Sequence, residues 1–282
     1  MFKTRLLSGI VLVIIALVTI LCGGPVLAGV LALISVIAFF FFFKVVGIHT
    51  EEKKWNGIEI AGVASILFYY GMLVFSYFKP DVAVMSGAGI CLTAVIFSLV
   101  LFMFVYVFSF PKFNASKVMF AFFSFIYAPV MLSFLYLTRA LDFGKFIVWM
   151  ILISSWGCDT CAYCVGVLIG KHKMTPKLSP KKSIEGAVGG VIGAAALGAL
   201  YAFFIVEKEI PDSRITVVFA IIGGLGALIS QVGDLAASGI KRDHEIKDYG
   251  KLIPGHGGIM DRFDSVIFTA PVIYFLAQMM LG

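Results

Sequence analysis

A series of long apolar runs separated by short polar loops constrains this chain more than anything else in it. The runs fall at about 6–22, 26–43, 58–78, 84–110, 117–138, 145–170, 187–206, 215–238 and 265–281. A helix needs about 20 apolar residues to cross a hydrocarbon core roughly 30 Å thick, and these runs have that length. In lipid every backbone polar group must find its partner internally, so continuous apolar runs imply helices. The predicted fold is therefore all-α: a polytopic integral membrane protein with about nine transmembrane helices. Composition agrees, with 61% hydrophobic and 13% charged residues against about 25% charged in soluble domains. The first run follows Lys3 and Arg5 and resembles a signal peptide. With so many spans after it, it reads as a retained first helix.

Punctuation supports these boundaries. Gly23-Gly24-Pro25 predicts a tight connection between the first two spans, and Pro80 and Pro111 sit just outside helix ends. Pro129 falls inside the fifth span, where it predicts a kink. The seventh and eighth spans carry small residues at close spacing (Gly186, Gly189, Gly190, Gly193, Gly198; Gly223, Gly224, Gly226), the pattern of close helix packing. The first four spans are bulky and nearly charge-free. The chain is thus expected to divide into a transmembrane scaffold, 1–144, and a functional transmembrane region, 145–282, with polar loops 171–186 and 239–264.

Orientation follows from Lys and Arg. With the N-terminus in the cytoplasm, 17 of the 22 Lys and Arg fall on the inside and five on the outside. The expected topology is N-in and C-out, with both long polar loops facing the cytoplasm. The net charge of +6 is concentrated there. A positive-inside bias and anionic headgroups explain the basic residues, but not the acidic ones mixed among them.

Ionisable groups inside spans are costly and default to function. Asp159 lies in the sixth span, about 18 Å along the helix from Lys171; Asp234 lies in the eighth, about 10 Å below Lys241. Ser230, Asp234, Ser238 and Lys241 share one helical face if the helix persists. Asp261 and Asp264, three apart, would point the same way at the start of span nine. Carboxylates converging from Asp234, Asp261 and Asp264 suit a hard cation such as Mg²⁺ held jointly with substrate phosphates. An ion-pair network with lysine and arginine is the rival explanation.

The turn Pro254-Gly255-His256-Gly257-Gly258 brings backbone N–H groups close to a ligand, and glycine permits the positive φ of an anion nest. His256 is placed to donate to a phosphate or move a proton. Lys241, Arg242, Lys247 and Lys251 would neutralise a leaving phosphate. In the earlier loop Ser183 either caps the next helix or, with Ser179-Pro180-Lys181-Lys182, contacts phosphate. Cys158, Cys161 and Cys164 share a broad helix face. With no fourth soft ligand nearby they are expected to be apolar packing residues, not a metal site.

The polar loop carries a specific pattern. Ser238, Lys241-Arg242, Lys247-Asp248, Gly250, Ile253-Pro254, His256-Gly257-Gly258, Asp261-Arg262 and Asp264 stand in one stretch of 27 residues. It resembles the signature of the phosphatidate cytidylyltransferase (CDP-diacylglycerol synthase) family. Asp159-Thr160, Ala162-Tyr163, Ser179 to Ser183, Glu185-Gly186 and Gly233-Asp234-Leu235 resemble further family segments in the same order. Cys161 departs from the pattern, which has glycine there. The likeness covers 150–270 well and the earlier spans only in general character.

The resemblance implies an enzyme, a nucleotidyltransferase of phospholipid synthesis. CTP and phosphatidate would give CDP-diacylglycerol and pyrophosphate in the cell inner membrane, with the active site facing the cytoplasm. It implies Asp234 and Asp261 as metal ligands with Asp264 close by, and Lys241, Arg242 and His256 on the phosphates. Asp159, Ser179, Lys182, Ser183, Ser238, Lys247, Asp248, Gly257, Gly258 and Arg262 would line the substrate site. Mg²⁺ is the expected cofactor, and the family allows a second cation and a homodimer; no nucleic-acid partner is expected. Two rivals remain: a CTP-dependent enzyme acting on an isoprenoid lipid, and a cation-coupled transporter using Asp159 and Asp234. Transport has no need of the glycine-histidine turn or of two lysine-rich loops on one side.

Overall fold

The structure is a computed structural model that describes residues 2–45, 47, 55–80, 87–210, 212, 214–250 and 257–281, with only the backbone of 2–7 and 88. Among these residues the chain forms α1 (Phe2–Cys22), α2 (Gly24–Val45), α3 (Gly57–Phe78), α4 (Gly87–Ser109), α5 (Ala115–Arg139) and α6 (Gly144–Ile169). A short hairpin follows, β1 (Lys173–Thr175) and β2 (Ser179–Ser183), and then α7 (Ile184–Val206), α8 (Ile215–Asp243) and α9 (Met260–Leu281). Eight of these helices, α2 to α9, are long and apolar enough to cross a membrane, and α1 is an apolar helix of shorter described length.

The chain divides into two compact units. One comprises Met1–Leu137 with Asp248–Asp261, the other Thr138–Lys247 with Arg262–Gly282.

The first unit is packed through aromatic rings. Phe39, Phe42, Phe43, Tyr69, Phe102 and Phe125 are fully buried. Phe39 lies 4.2 Å from Phe43 between ring centroids, and its ring fills the space where Gly62 lacks a side chain. The Gly23-Gly24 link is as tight as the sequence suggested: both have positive φ (61° and 47°), and a Cβ on Gly24 would press on the Tyr77 ring at 3.1 Å. Helix α3 begins with a capping box in which Asn56 Oδ1 accepts from Glu59 N and Glu59 Oε2 accepts from Asn56 N. Pro129 does not break α5. Lacking an N–H, it sits in a π-helical turn, Ile126–Val130, and the Tyr70 hydroxyl donates to the Pro129 carbonyl at 3.1 Å. A side chain from a neighbouring helix thus meets a carbonyl in the irregular turn, as membrane interiors require.

The second unit is packed through glycine. A Cβ on Gly198 would stand 2.7 Å from the Phe219 carbonyl oxygen, and one on Gly223 would stand 2.7 Å from that of Ala194. The α7 and α8 backbones therefore touch, as the glycine spacing predicts. The α6–α7 seam is similar: a Cβ on Gly186 would stand 2.8 Å from the Ala162 carbonyl oxygen, and one on Gly190 3.0 Å from that of Cys158.

Candidate active site

The site in the second unit is built where α6, the hairpin, α7 and α8 converge. Ser183 ends β2 and also caps α7. Its φ and ψ are extended (−111°, 155°), and its hydroxyl accepts from Gly186 N at 3.1 Å. Of the two roles the sequence allowed for Ser183, the structure shows the cap. The preceding residue, Lys182, reaches Asp234 on α8 and forms an ion pair with its Oδ2. Each side chain keeps about a quarter of its surface exposed, 26% and 25%, but the Lys182 ammonium nitrogen itself is buried against the carboxylate.

Asp159, Tyr163, Lys181, Lys182, Ser183, Gln231 and Asp234 line a cavity of about 460 Å³ together with Ala162, Gly166, Val167, Gly186 and Ala187. Intramembrane Asp159 and Asp234 thus share one concavity with two lysines. Gln231, one turn before Asp234, donates through Nε2 to the Ala187 carbonyl at 3.0 Å and to Cys158 Sγ at 3.5 Å. That amide fixes α8 against α7 and α6 directly beneath the carboxylate. Sequence reasoning passed over Gln231, although an amide inside an apolar span is itself a signal of a buried hydrogen bond.

A second carboxylate–lysine pair adjoins the first. Helix α8 runs to Asp243, five residues beyond the expected end at 238, and this keeps Lys241 on the Asp234 face. Lys241 Nζ stands 4.0 Å from Asp264 Oδ2, with side chains only 12% and 11% exposed. Asp264 Oδ1 accepts from Ser265 N at 2.8 Å. Asp159 and Asp264 both lie within electrostatic range of Asp234, and Arg262 within range of Asp159. Trp156 Nε1 donates to the Arg262 carbonyl at 3.2 Å, tying α6 to the start of α9. Asp234 and Asp264 are thus each engaged by a lysine, as the ion-pair reading expects.

Helix α9 starts at Met260, earlier than the expected 265, so Asp261 and Asp264 both lie in its first turns. Asp261 belongs to the first unit, where its Oδ2 accepts from Tyr249 N and Gly258 N, each at 2.9 Å. Gly257 has φ of +83°, the left-handed conformation expected of the turn. The Gly258 N–H of that turn is engaged by the Asp261 carboxylate. Arg242, Lys247 and Asp248 are exposed, and Ser179 and Ser238 are partly exposed away from the cavity lining. His256, with Lys251, Pro254 and Gly255, lies outside the described residues.

Oxygen donors alone face the cavity among its charged acceptors, which suits a hard cation over zinc or iron. Among the described residues no three His, Cys, Asp or Glu side chains come close enough to make a metal shell. The carboxylates that the cavity itself presents to a cation are Asp159 and Asp234. Cys158 does not join in: its thiol is buried, 3.8 Å from the Ala227 carbonyl oxygen.

Fold and site together define a polytopic helical membrane protein whose second unit sets lysines and carboxylates around one cavity. Helix number, loop charge and cavity chemistry all point one way. The chain belongs to the cytidylyltransferase family, whose model matches residues 3–280. It is 29% identical over 278 residues to a phosphatidate cytidylyltransferase of Bacillus subtilis (strain 168), covering 97% of each chain. It is 30% identical over 274 residues to the protein of that name from Staphylococcus haemolyticus, and 31% over 286 residues to that of Staphylococcus aureus (strain COL). Both alignments cover 97% of this chain and 98% of the relative.

Proposed function

We propose that this protein transfers the cytidylyl group of CTP to phosphatidate, forming CDP-diacylglycerol and pyrophosphate. The observation that carries the reading is the cavity that Lys181, Lys182, Asp159 and Asp234 line between the C-terminal halves of α6 and α8. Relatives aligned over 97% of the chain bear the name phosphatidate cytidylyltransferase, which supplies the substrate pair.

In the step proposed, a phosphate oxygen of the lipid attacks the α-phosphorus of CTP. A P–O bond forms there, and the bond to the bridging oxygen of the β-phosphate breaks. The electron pair leaves with pyrophosphate. The nucleophile is already an anion, so positioning and charge neutralisation do most of the work. Lys182 and Lys241 are the ammonium groups assigned to the phosphates, and Lys181 also lines the cavity. Asp234 and Asp261 are assigned to hold Mg²⁺, which would screen the triphosphate and draw charge from the leaving group. Asp264 is assigned to the same site and pairs with Lys241.

The active-site loops are assigned to the cytoplasmic face of an inner membrane. Charge distribution supports this, since 171–186 and 239–264 each hold five Lys or Arg. The chemistry is assigned to 145–282, with 1–144 as scaffold. A second cation and a homodimer belong to the same reading.

The test is incubation of detergent-purified protein with labelled CTP, phosphatidate and Mg²⁺. Labelled CDP-diacylglycerol with equimolar pyrophosphate is the expected result. Label transfer only to an isoprenoid phosphate would overturn the lipid assignment. No pyrophosphate with any lipid, alongside cation flux in vesicles, would favour a carrier.

A further inference from the structure

Lys182 needs something to hold it, because the element that carries it is slight. Strand β1 has three residues and β2 five, with an irregularity between the Lys173–Ser183 and Thr175–Ser179 pairings. A lone two-stranded hairpin is at best marginally stable in water. It also carries Lys171, Lys173, Lys177, Lys181 and Lys182 within 12 residues, whose mutual repulsion favours opening.

One side chain closes its base. Glu185, in the first turn of α7, accepts from Lys171 N through Oε2 at 3.1 Å. It also accepts from His172 N, at 3.3 Å through Oε1 and 3.2 Å through Oε2. His172 Nδ1 stands 2.5 Å from its Oε1. The backbone bond from Ile184 N to the His172 carbonyl, 2.9 Å, completes the closure. Across the strand, Ser183 Oγ is packed so closely that a Cβ on Gly170 would stand 2.6 Å from it. Glu185 does not line the cavity, whereas Lys181, Lys182 and Ser183 do.

We propose that Glu185 is a positioning residue for the reaction. Its carboxylate clamps Lys171 and His172 to the start of α7, and so fixes the strand that presents the Lys182 ammonium to Asp234 and to the substrate phosphates. Glu185 acts through Lys182 without touching substrate. Three donors converge on one anion, and charge-assisted bonds of this kind are about twice as strong as neutral ones. The assignment rests on the proposed cytidylyl transfer for its catalytic consequence and on geometry alone for the clamp.

The test is a double-mutant cycle of Glu185→Ala with Lys182→Ala, read by turnover and by equilibrium CTP binding, with tryptic cleavage of the 171–182 segment as an activity-free readout. Glu185→Ala is expected to lower kcat/KM about tenfold or more and to speed cleavage in the hairpin. Glu185→Gln should fall between Glu185→Ala and wild type, and His172→Ala, which keeps both backbone bonds, should cost least. In the Lys182→Ala background Glu185→Ala should change CTP binding and residual turnover less than about twofold. Equal losses in both backgrounds would show that Glu185 does not act through Lys182. Wild-type cleavage in Glu185→Ala would remove the clamp itself. If wild-type protein made no CDP-diacylglycerol, the substrate assignment would fail while the cleavage result still decided the clamp.

Discussion

The two units solve one problem differently. Lipid tails are as apolar as leucine, so helices in a bilayer are held together by packing and hydrogen bonds and not by expulsion of water. In the first unit the solution is bulk: rings of Phe39, Phe43, Phe102 and Phe125 fill the gaps between helices, and Gly62 makes room for one of them. In the second unit the solution is removal of bulk, so that carbonyls of one helix sit where a neighbour's Cβ would be. Ring packing tolerates small shifts, because a ring in contact on several sides can slide or tilt. Backbone contact does not, because there is no side chain left to adjust. The cavity acids Asp159 and Asp234 are mounted on the glycine-packed helices, where the tolerance for displacement is least, while Lys181 and Lys182 come from the hairpin.

The comparison sharpens most at Asp234. Asp234→Asn is expected to reduce turnover by about 10²–10³-fold while leaving extraction and thermal midpoint close to wild type. Asp261→Asn should reduce it nearly as far while leaving a folded, extractable protein, because the amide oxygen can still accept from Tyr249 N and Gly258 N. Near-normal rates in either would remove the cation assignment.

The packing contrast is tested next. Gly223→Ala drives a methyl against the Ala194 carbonyl and should cost about 1–3 kcal/mol, seen as a lower midpoint in detergent. Gly71→Ala in α3, where no atom lies within 4 Å of the added methyl, should leave the midpoint unchanged or slightly raised. Equal shifts would erase the distinction between the units. Ser183→Ala removes the α7 cap and is expected to cost about 1 kcal/mol, with a larger effect on turnover than on the midpoint. The smallest effect belongs to the thiols: Cys158→Ala, Cys161→Gly and Cys164→Phe together should leave kcat/KM within about twofold.

Much of the site was legible because its residues are expensive where they stand. Asp159 and Asp234 announce themselves inside apolar spans, and both line one cavity. The 27-residue loop pattern pointed to the family before any coordinates. The hairpin was not legible. Strands of three and five residues are too short for a period to show, and the carboxylate that accepts at their base, Glu185, lies outside both. The reach of α8 to Asp243 was missed because polarity rises after Ser238, although the helix continues through Lys241 and Arg242 at the water edge. The capture of the Gly258 N–H by Asp261 was likewise hidden, since an open nest and one closed by the protein's own carboxylate share the same residues.

By itself the sequence determined the class of this protein: apolar run length dictates membrane-spanning helices, and their glycine spacing dictates which of them pack closely. It also determined which side chains are too costly to be incidental. Only the tertiary structure decided the partners of those side chains. Lys182 meets Asp234 from 52 positions away in the chain, and Lys241 meets Asp264 from 23. Such pairings depend on how helices cross and where a hairpin is anchored, and local periodicity carries no record of either.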